Sequence, residues 1–356
     1  MQHSIIGWDI GGAHVKAALL NTQGQVVKVY QQACPLWKGL DQLRLAVSHI
    51  TQDLPAEHCR HAITMTGELV DLFANRDDGV AQIIATMTAL LANNEVFIFA
   101  GNTGFLTAEQ VESQHYAAIA SANWLASATL AAQQLGSGLF VDIGSTTTDI
   151  LLLHNGRVIT EAYTDYQRLI SQELVYTGVV RTAVMAVAQT AIDDGKEIGL
   201  MAEYFATMAD VYRVTGELNE AHDQTDTADG AEKTVLASAR RLSRMIGCDF
   251  YPEELARWQA FAGNLRAQQL EKIRRACQVR LSLQEEFAPD APLIGAGIGR
   301  FLVRELAELL GRDTVDFSAC CPETVAESEL STADCAPAVA VACLLFVGAD
   351  LSTQRE

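Results

Sequence analysis

The chain has 356 residues, a length that suits two domains or one large one, and its 49% hydrophobic and 19% charged content describes a globular protein. A net charge of −19 argues against a general nucleic-acid binder and against an anionic membrane surface, but a small anionic ligand stays admissible because a cation or a local basic cluster overrides the global field. The N-terminus lacks a basic leader, the longest apolar run (336–349) falls short of the ~20 residues a bilayer span needs, and the eight cysteines include no C-x-x-C pair, so reduced core thiols of a cytoplasmic protein are expected.

The chain opens with two apolar runs around a Gly-Gly turn, Ile5-Ile6-Gly7-Trp8-Asp9-Ile10-Gly11-Gly12-Ala13-His14-Val15-Lys16. This predicts a β-hairpin, with a third strand at 25–30. Spacings of three and four predict a helix over 40–54. Short buried strands are expected at 62–66 and 96–100, with a helix at 79–91 between them, and an alanine-rich helix follows at 117–135. The opening theme then returns as Val141-Asp142-Ile143-Gly144-Ser145-Thr146-Thr147-Thr148-Asp149. Superposing Asp9 on Asp142 lays Leu19 and Leu20 over Leu152 and Leu153, which an internal duplication explains most simply. A strand at 157–160 follows.

Residues 165–285 read as mostly helical. They include a long amphipathic helix through Leu255, Trp258, Ala262 and Leu265 and a polar break at 222–230, where Asp229 is a candidate cap for the next helix. Pro289 to Pro292 should end that block. Leu293-Ile294-Gly295-Ala296-Gly297-Ile298-Gly299-Arg300 then reads as a strand running into glycines, followed by a helix at 301–310, a strand at 315–317 and a buried helix at 336–347.

The two glycine corners carry the chemical signal. A corner without Cβ lets backbone N–H groups approach an anion, so Gly11 and Gly12, and Gly144, Ser145, Thr146 and Thr147, are candidate phosphate binders. Asp9 and Asp142 precede the corners and could hold a divalent cation against phosphate oxygens. Lys16, on the same side of its strand as His14, could neutralise a leaving diphosphate. His14, of suitable pKa beside the corner, is the candidate base; its plainer role is a solvent-facing strand residue. In the duplicate, Asp149 stands where Lys16 does, so the two corners should play different parts. Gly295, Gly297 and Gly299 could admit a ligand to a helix start, although the third glycine comes one residue too early for a dinucleotide fingerprint. Glu68 at a strand end and Arg181 are candidate substrate contacts, with a helix-start carboxylate and a structural ion pair as their plain readings. Glu203 and Asp210, seven apart, would share one helical face as amine binders. Asn123 and Trp124 read as packing. Trp37, Phe105 and Tyr116 in loop-like stretches offer a surface for a homodimer.

The order of these elements resembles the actin, sugar-kinase and heat-shock-chaperone superfamily. Thr64-Met65-Thr66-Gly67-Glu68-Leu69 and Tyr176-Thr177-Gly178-Val179-Val180-Arg181-Thr182 resemble its hydantoinase A/oxoprolinase branch. In length and motif string the chain is similar to a narrower group, the tetrahydromethanopterin-linked one-carbon pathway proteins that include methanofuran-biosynthesis synthases. The resemblance implies duplicated actin-like ATPase (ribonuclease H-like) domains with mixed five-stranded sheets, closing over a phosphate-bearing ligand and Mg²⁺. It implies a first domain at 1–135, joined by the C-terminal helix 336–350, and a second at 136–335 with a helical insertion at about 165–285. The activity implied is a transfer joining an aminomethylfuran diphosphate to the phenol of a γ-glutamyltyramine-type acceptor, with release of diphosphate. Mg²⁺ held by Asp9 and Asp142 would assist; ATP is not required by this reading. The partners are then small molecules, not nucleic acid or membrane. The alternatives are an ATP-dependent kinase or amidohydrolase on the same fold and a non-catalytic nucleotide-gated scaffold.

Overall fold

The computed structural model describes residues 3–54, 58–283, 288, 290–322 and 330–353. Pro289 of the expected helix stop lies outside them. The chain gathers into two compact units, one of Met1–Phe140, Leu151–Gln167 and Val315–Glu356, the other of Val141–Ile150 and Arg168–Thr314.

The first unit is built on six strands, β1 (Ile5–Ile10), β2 (His14–Leu20), β3 (Val26–Ala33), β4 (Arg60–Met65), β5 (Glu95–Phe99) and β6 (Phe105–Thr107), in the order β3-β2-β1-β4-β5-β6. β1 pairs antiparallel with β2 and parallel with β4. Alternation decides which face is buried against what. Ile6, Trp8, Ile10, Val15, Ala17, Leu19, Ile63 and Met65 form one core cluster with side chains of the helices Leu40–Thr51 and Arg76–Leu90. On the opposite face the sheet meets the C-terminal helix Ala336–Thr353 so closely that a Cβ on Gly7 would overlap the carbonyl oxygen of Ala338. That helix is built from Ala, Val and other apolar residues, and Ala336 and Ala338–Ala342 are buried, because it is packed rather than solvated. No helix among the described residues is long and apolar enough to cross a membrane.

The second sheet holds β7 (Gly138–Ile143), β8 (Thr148–His154), β9 (Arg157–Ile159), β10 (Leu174–Val175), β13 (Leu293–Ala296) and β14 (Thr314–Asp316). A separate hairpin holds β11 (Thr190–Asp193) and β12 (Lys196–Gly199). The sheet runs β10-β8-β7-β13-β14, with β9 also on β8, so each sheet sets its glycine-cornered hairpin at the same two places in the strand order. The duplicated α/β architecture with mixed sheets is therefore present. Among the described residues each sheet has six strands rather than five: the first adds the three-residue β6, whose Phe105 packs its ring 5.4 Å from Phe99, and the second adds β9.

Four local expectations need correction. The helix expected at 117–135 is two helices, Tyr116–Ile119 and Asn123–Leu135, because Ser121 takes a left-handed backbone (φ 50°) to turn the chain between them. The block 165–285 is less helical than its composition suggests. Asp194 and Gly195 both take positive φ, the geometry that closes a tight hairpin, and so join β11 to β12. Asp229 caps no helix; Thr234 caps Val235–Arg244, while Asp229 accepts from Arg241 and Arg244 at 3.1 and 3.0 Å. Glu203 and Asp210 share no helical face, since the helix begins at Met208; Asp210 closes a capping box with Thr207 and pairs with Arg241 at 2.8 Å. Of the aromatics considered for a dimer surface, Trp37 is exposed, while Phe105 and Tyr116 are half-buried, Tyr116 against the core cluster.

Candidate functional site

The first corner joins β1 to β2. The Gly11 amide donates to the carbonyl of His14 at 2.9 Å, which closes the turn. The second corner repeats this bond between the Gly144 amide and Thr147, again at 2.9 Å. Both glycine amides are thus used inside their own turns.

In the first unit, register places Lys16 directly opposite Asp9 on β2, and Thr64 beside Asp9 on β4. Partners in register point to the same face, so a carboxylate, an ammonium and a hydroxyl form one row across the sheet. Asp9 is buried, and the Thr64 hydroxyl is fully buried without a hydrogen-bond partner. The Lys16 ammonium donates to the Asp334 carbonyl at 2.6 Å, just ahead of the C-terminal helix, which leaves two of its three N–H donors for other work. His14, two residues from Lys16 on the same face, is buried rather than solvent-facing. The turn is backed by the end of β4: a Cβ on Gly67 would come within 3.2 Å of the Gly11 carbonyl, and one on Gly12 within 2.8 Å of Val70.

Glu68 follows Gly67 and is wholly buried. Ser121 Oγ donates to its Oε1 at 2.7 Å and Arg76 Nε lies 3.8 Å from the same oxygen, while Oε2 makes no hydrogen bond. Burial pushes its carboxyl above the ordinary range, an effect the Ser121 bond and Arg76 only partly offset. Arg76 spends its closer contact on Asp165, at 2.7 Å. The sequence showed Glu68 at a strand end but not its partner, because nothing marks Ser121 as the residue that turns back toward it.

In the second unit, Asp142 lies against the third glycine run. A Cβ on Gly297 (φ 79°) would overlap Asp142 Oδ1, and the Gly299 amide donates to the Ile143 carbonyl at 2.8 Å. Gly295 instead makes room for Val303 of the helix Phe301–Leu310, 3.2 Å from where its Cβ would sit. These glycines therefore serve close packing around Asp142 and Ile143 and against a helix. The corner itself rests on the segment Gly178 to Thr182. A Cβ on Gly178 would overlap the amide of Thr146, the Val179 amide donates to Gly144, and the amides of Val180 and Arg181 donate to Ser145 at 3.1 and 2.8 Å. Arg181 Nη1 reaches Thr146 Oγ1 at 3.4 Å. Gln269, fully buried on the long helix Leu255–Ser282, donates to both Thr177 Oγ1 (2.7 Å) and the Gly178 carbonyl (2.9 Å). No sequence signal links Gln269 to a motif 91 residues earlier.

At the place matching Lys16, Asp149 accepts from the buried Arg168 at 2.7 Å. Among the described residues no group of three or more His, Cys, Asp or Glu side chains could hold a metal ion. That still suits Mg²⁺, which binds through one or two carboxylates and otherwise through water and phosphate oxygens.

The hydantoinase/oxoprolinase family matches residues 60–336. The chain belongs to this family. Among its relatives, the (4-{4-[2-(gamma-L-glutamylamino)ethyl]phenoxymethyl}furan-2-yl)methanamine synthase of Methanocaldococcus jannaschii is 34% identical over 250 residues, covering 70% of this chain and 73% of that protein. The synthase of the same name from Methanococcus vannielii is 32% identical over 111 residues, covering 31% of this chain and 50% of that protein. In fold, this hydantoinase/oxoprolinase-family protein is similar to nucleotide-free acetone carboxylase, with a TM-score of 0.59 at 11% identity over 96% of this chain and 70% of that one.

Proposed function

We propose that this enzyme forms the aryl ether of a methanofuran-type cofactor. It joins an aminomethylfuran diphosphate to the phenol oxygen of a γ-glutamyltyramine-type acceptor, in support of tetrahydromethanopterin-linked one-carbon transfer. The observation that carries the reading is the 34% identity to a synthase whose name describes that phenoxymethylfuran product. In the reaction the phenol oxygen bonds to the furfuryl methylene. The methylene–oxygen bond to diphosphate breaks, and its electron pair leaves on diphosphate. The phenol proton passes to a base.

The residues of the two corners suit this chemistry. A furfuryl carbon sheds diphosphate readily once the leaving charge is neutralised, because the cation left behind is resonance-stabilised. Lys16, held opposite Asp9, brings a fixed positive charge. The amides after Gly11 and Gly144, with the Ser145, Thr146 and Thr147 hydroxyls, offer donors to phosphate oxygens. His14, buried beside the first corner, is the base of this reading and would accept the phenol proton. Glu68 and Arg181, beside the first and second corners, are the proposed substrate contacts. Mg²⁺, when bound, would supply further neutralisation of the leaving group, and Asp9 and Asp142 are each a candidate carboxylate ligand.

The test is turnover by purified protein with Mg²⁺. Diphosphate and the ether, read by coupled phosphate assay and mass spectrometry, should appear only when both substrates are present. Hydrolysis of ATP with no ether formed from the two substrates would overturn the reading.

A further inference from the structure

The second unit carries an open groove of about 850 Å³ that none of the chemistry above uses. It lies between the segment 169–176 and the long helix Leu255–Ser282. We propose that this groove binds the arm of the phenol acceptor, with the ring toward Tyr176 and the carboxylate toward Lys272 and Arg275. The proposal rests on the ether-forming reading given above.

Three observations carry it. The first is the lining. Leu169, Leu174, Val175 and Ala276 line it with apolar surface and Gln268, Lys272 and Arg275 add polar groups, as in sites for small amphipathic ligands of this volume. Leu169 and Tyr176 are exposed, 48% and 63%, so the groove offers apolar surface to a ligand.

The second is charge. In a chain of net charge −19, the stretch Glu271-Lys272-Ile273-Arg274-Arg275 is locally cationic. Glu271 is engaged by Arg274 and Arg275 at 2.6 and 2.7 Å, which hold its carboxyl down at about 2. Lys272 is exposed at the groove and Arg275 is mostly exposed, so both can meet a carboxylate.

The third is reach. Gln268 and Tyr176 both line the groove, and Tyr176 directly precedes Thr177. The neighbouring Gln269 is bonded to Thr177 and Gly178, and Gly178 packs directly on the Thr146 amide of the second corner. From Gln268 to Arg275 the helix advances roughly 10 Å at 1.5 Å per residue. An aryl ring with a two-carbon amide arm and a terminal amino acid is long enough to put its phenol at the corner end and its carboxylate among the cations.

The experiment compares γ-glutamyltyramine with tyramine, which lacks the carboxylate, as acceptors in the diphosphate-release assay. For the double variant Lys272→Glu with Arg275→Glu, the γ-glutamyltyramine KM should rise at least tenfold and the preference over tyramine should vanish. The diphosphate-donor KM and kcat should stay within twofold. Ala267→Trp, which fills the groove, should raise the KM of both acceptors. Unchanged acceptor KM values in all these variants overturn the proposal and leave the ether-forming reading intact. If the wild-type protein forms no ether, that reading fails by itself. Equilibrium dialysis of γ-glutamyltyramine against wild type and Ala267→Trp then decides the groove: binding lost in the variant supports it, and equal binding or none overturns it. A variant that changes only the sedimentation of the protein marks a contact between copies and also overturns it.

Discussion

The two corners share a backbone and differ in everything attached to it. Both close with the same amide-to-carbonyl bond, and both follow an aspartate on the first strand of the hairpin. Seven residues beyond that aspartate they part. Lys16 points its ammonium along the face that holds Asp9 and ties down Asp334, whereas Asp149 is locked to the buried Arg168. Duplication supplied two equivalent turns. Divergence then left a charge with spare hydrogen-bonding capacity in one and a closed ion pair in the other. The lesson is that a repeat gives the position of a functional group, while its neighbours decide whether the group is free to act.

The comparison can be broken at several points. Asp9→Ala and Asp142→Ala are each expected to lower ether formation by about a thousandfold or more, by loss of preorganised electrostatic stabilisation, with melting temperature nearly unchanged. Activity near wild type in either would sink the shared role of the corners. At the divergent position the effects should separate. Lys16→Met should cut kcat by about a hundredfold through lost charge stabilisation, with little change in urea midpoint. Asp149→Ala should cost about 3–5 kcal/mol of stability by stranding the Arg168 charge, measured by urea unfolding.

Finer tests follow from the glycines. Gly11→Ala would place a Cβ 2.8 Å from the His14 carbonyl, while Gly144→Ala would place one 3.4 Å from that of Thr147. The first should therefore cost about 1–3 kcal/mol by overpacking and the second under about 1 kcal/mol, read from paired thermal melts. Acid should weaken the first sheet through His61. Its ring is buried, accepts from Trp8 Nε1 at 3.0 Å, and is held down to about 4 by burial. The unfolded chain protonates this group below about pH 6.5 and the folded one only near 4, so stability is full above 6.5 and falls as the pH drops between those values. The loss approaches about 3 kcal/mol, and His61→Gln should flatten the profile of melting temperature against pH.

Much of this was legible from residues alone. Period-two alternation placed both hairpins, and the repeated Asp-Ile-Gly placed the two aspartates. Lys16 and His14 fell on one side of β2 by parity. What escaped were features set by distant partners or by a single backbone angle. The alanine-rich run around Ser121 has no helix breaker by composition, yet it turns there. The Asp194-Gly195 pair was a readable hairpin signal, hidden within a stretch whose general pattern is helical. The glycines at 295, 297 and 299 looked like an opening for ligand. Gly297 and Gly299 proved to make room for Asp142 and Ile143, a fact contained only in the tertiary arrangement. What Gln269 and Ser121 hold in place is likewise set wholly by what they touch.

The contact between Gly7 and Ala338 bears on how the protein is made. The strand Ile5–Ile10 is covered by the helix Ala336–Thr353, which is synthesised much later, so while the chain between them is being made one face of the opening sheet lacks its cover. Shielding of that nascent surface must come from a chaperone or from waiting, and a ribosome that stalls before residue 336 would release a product with an uncovered sheet prone to self-association.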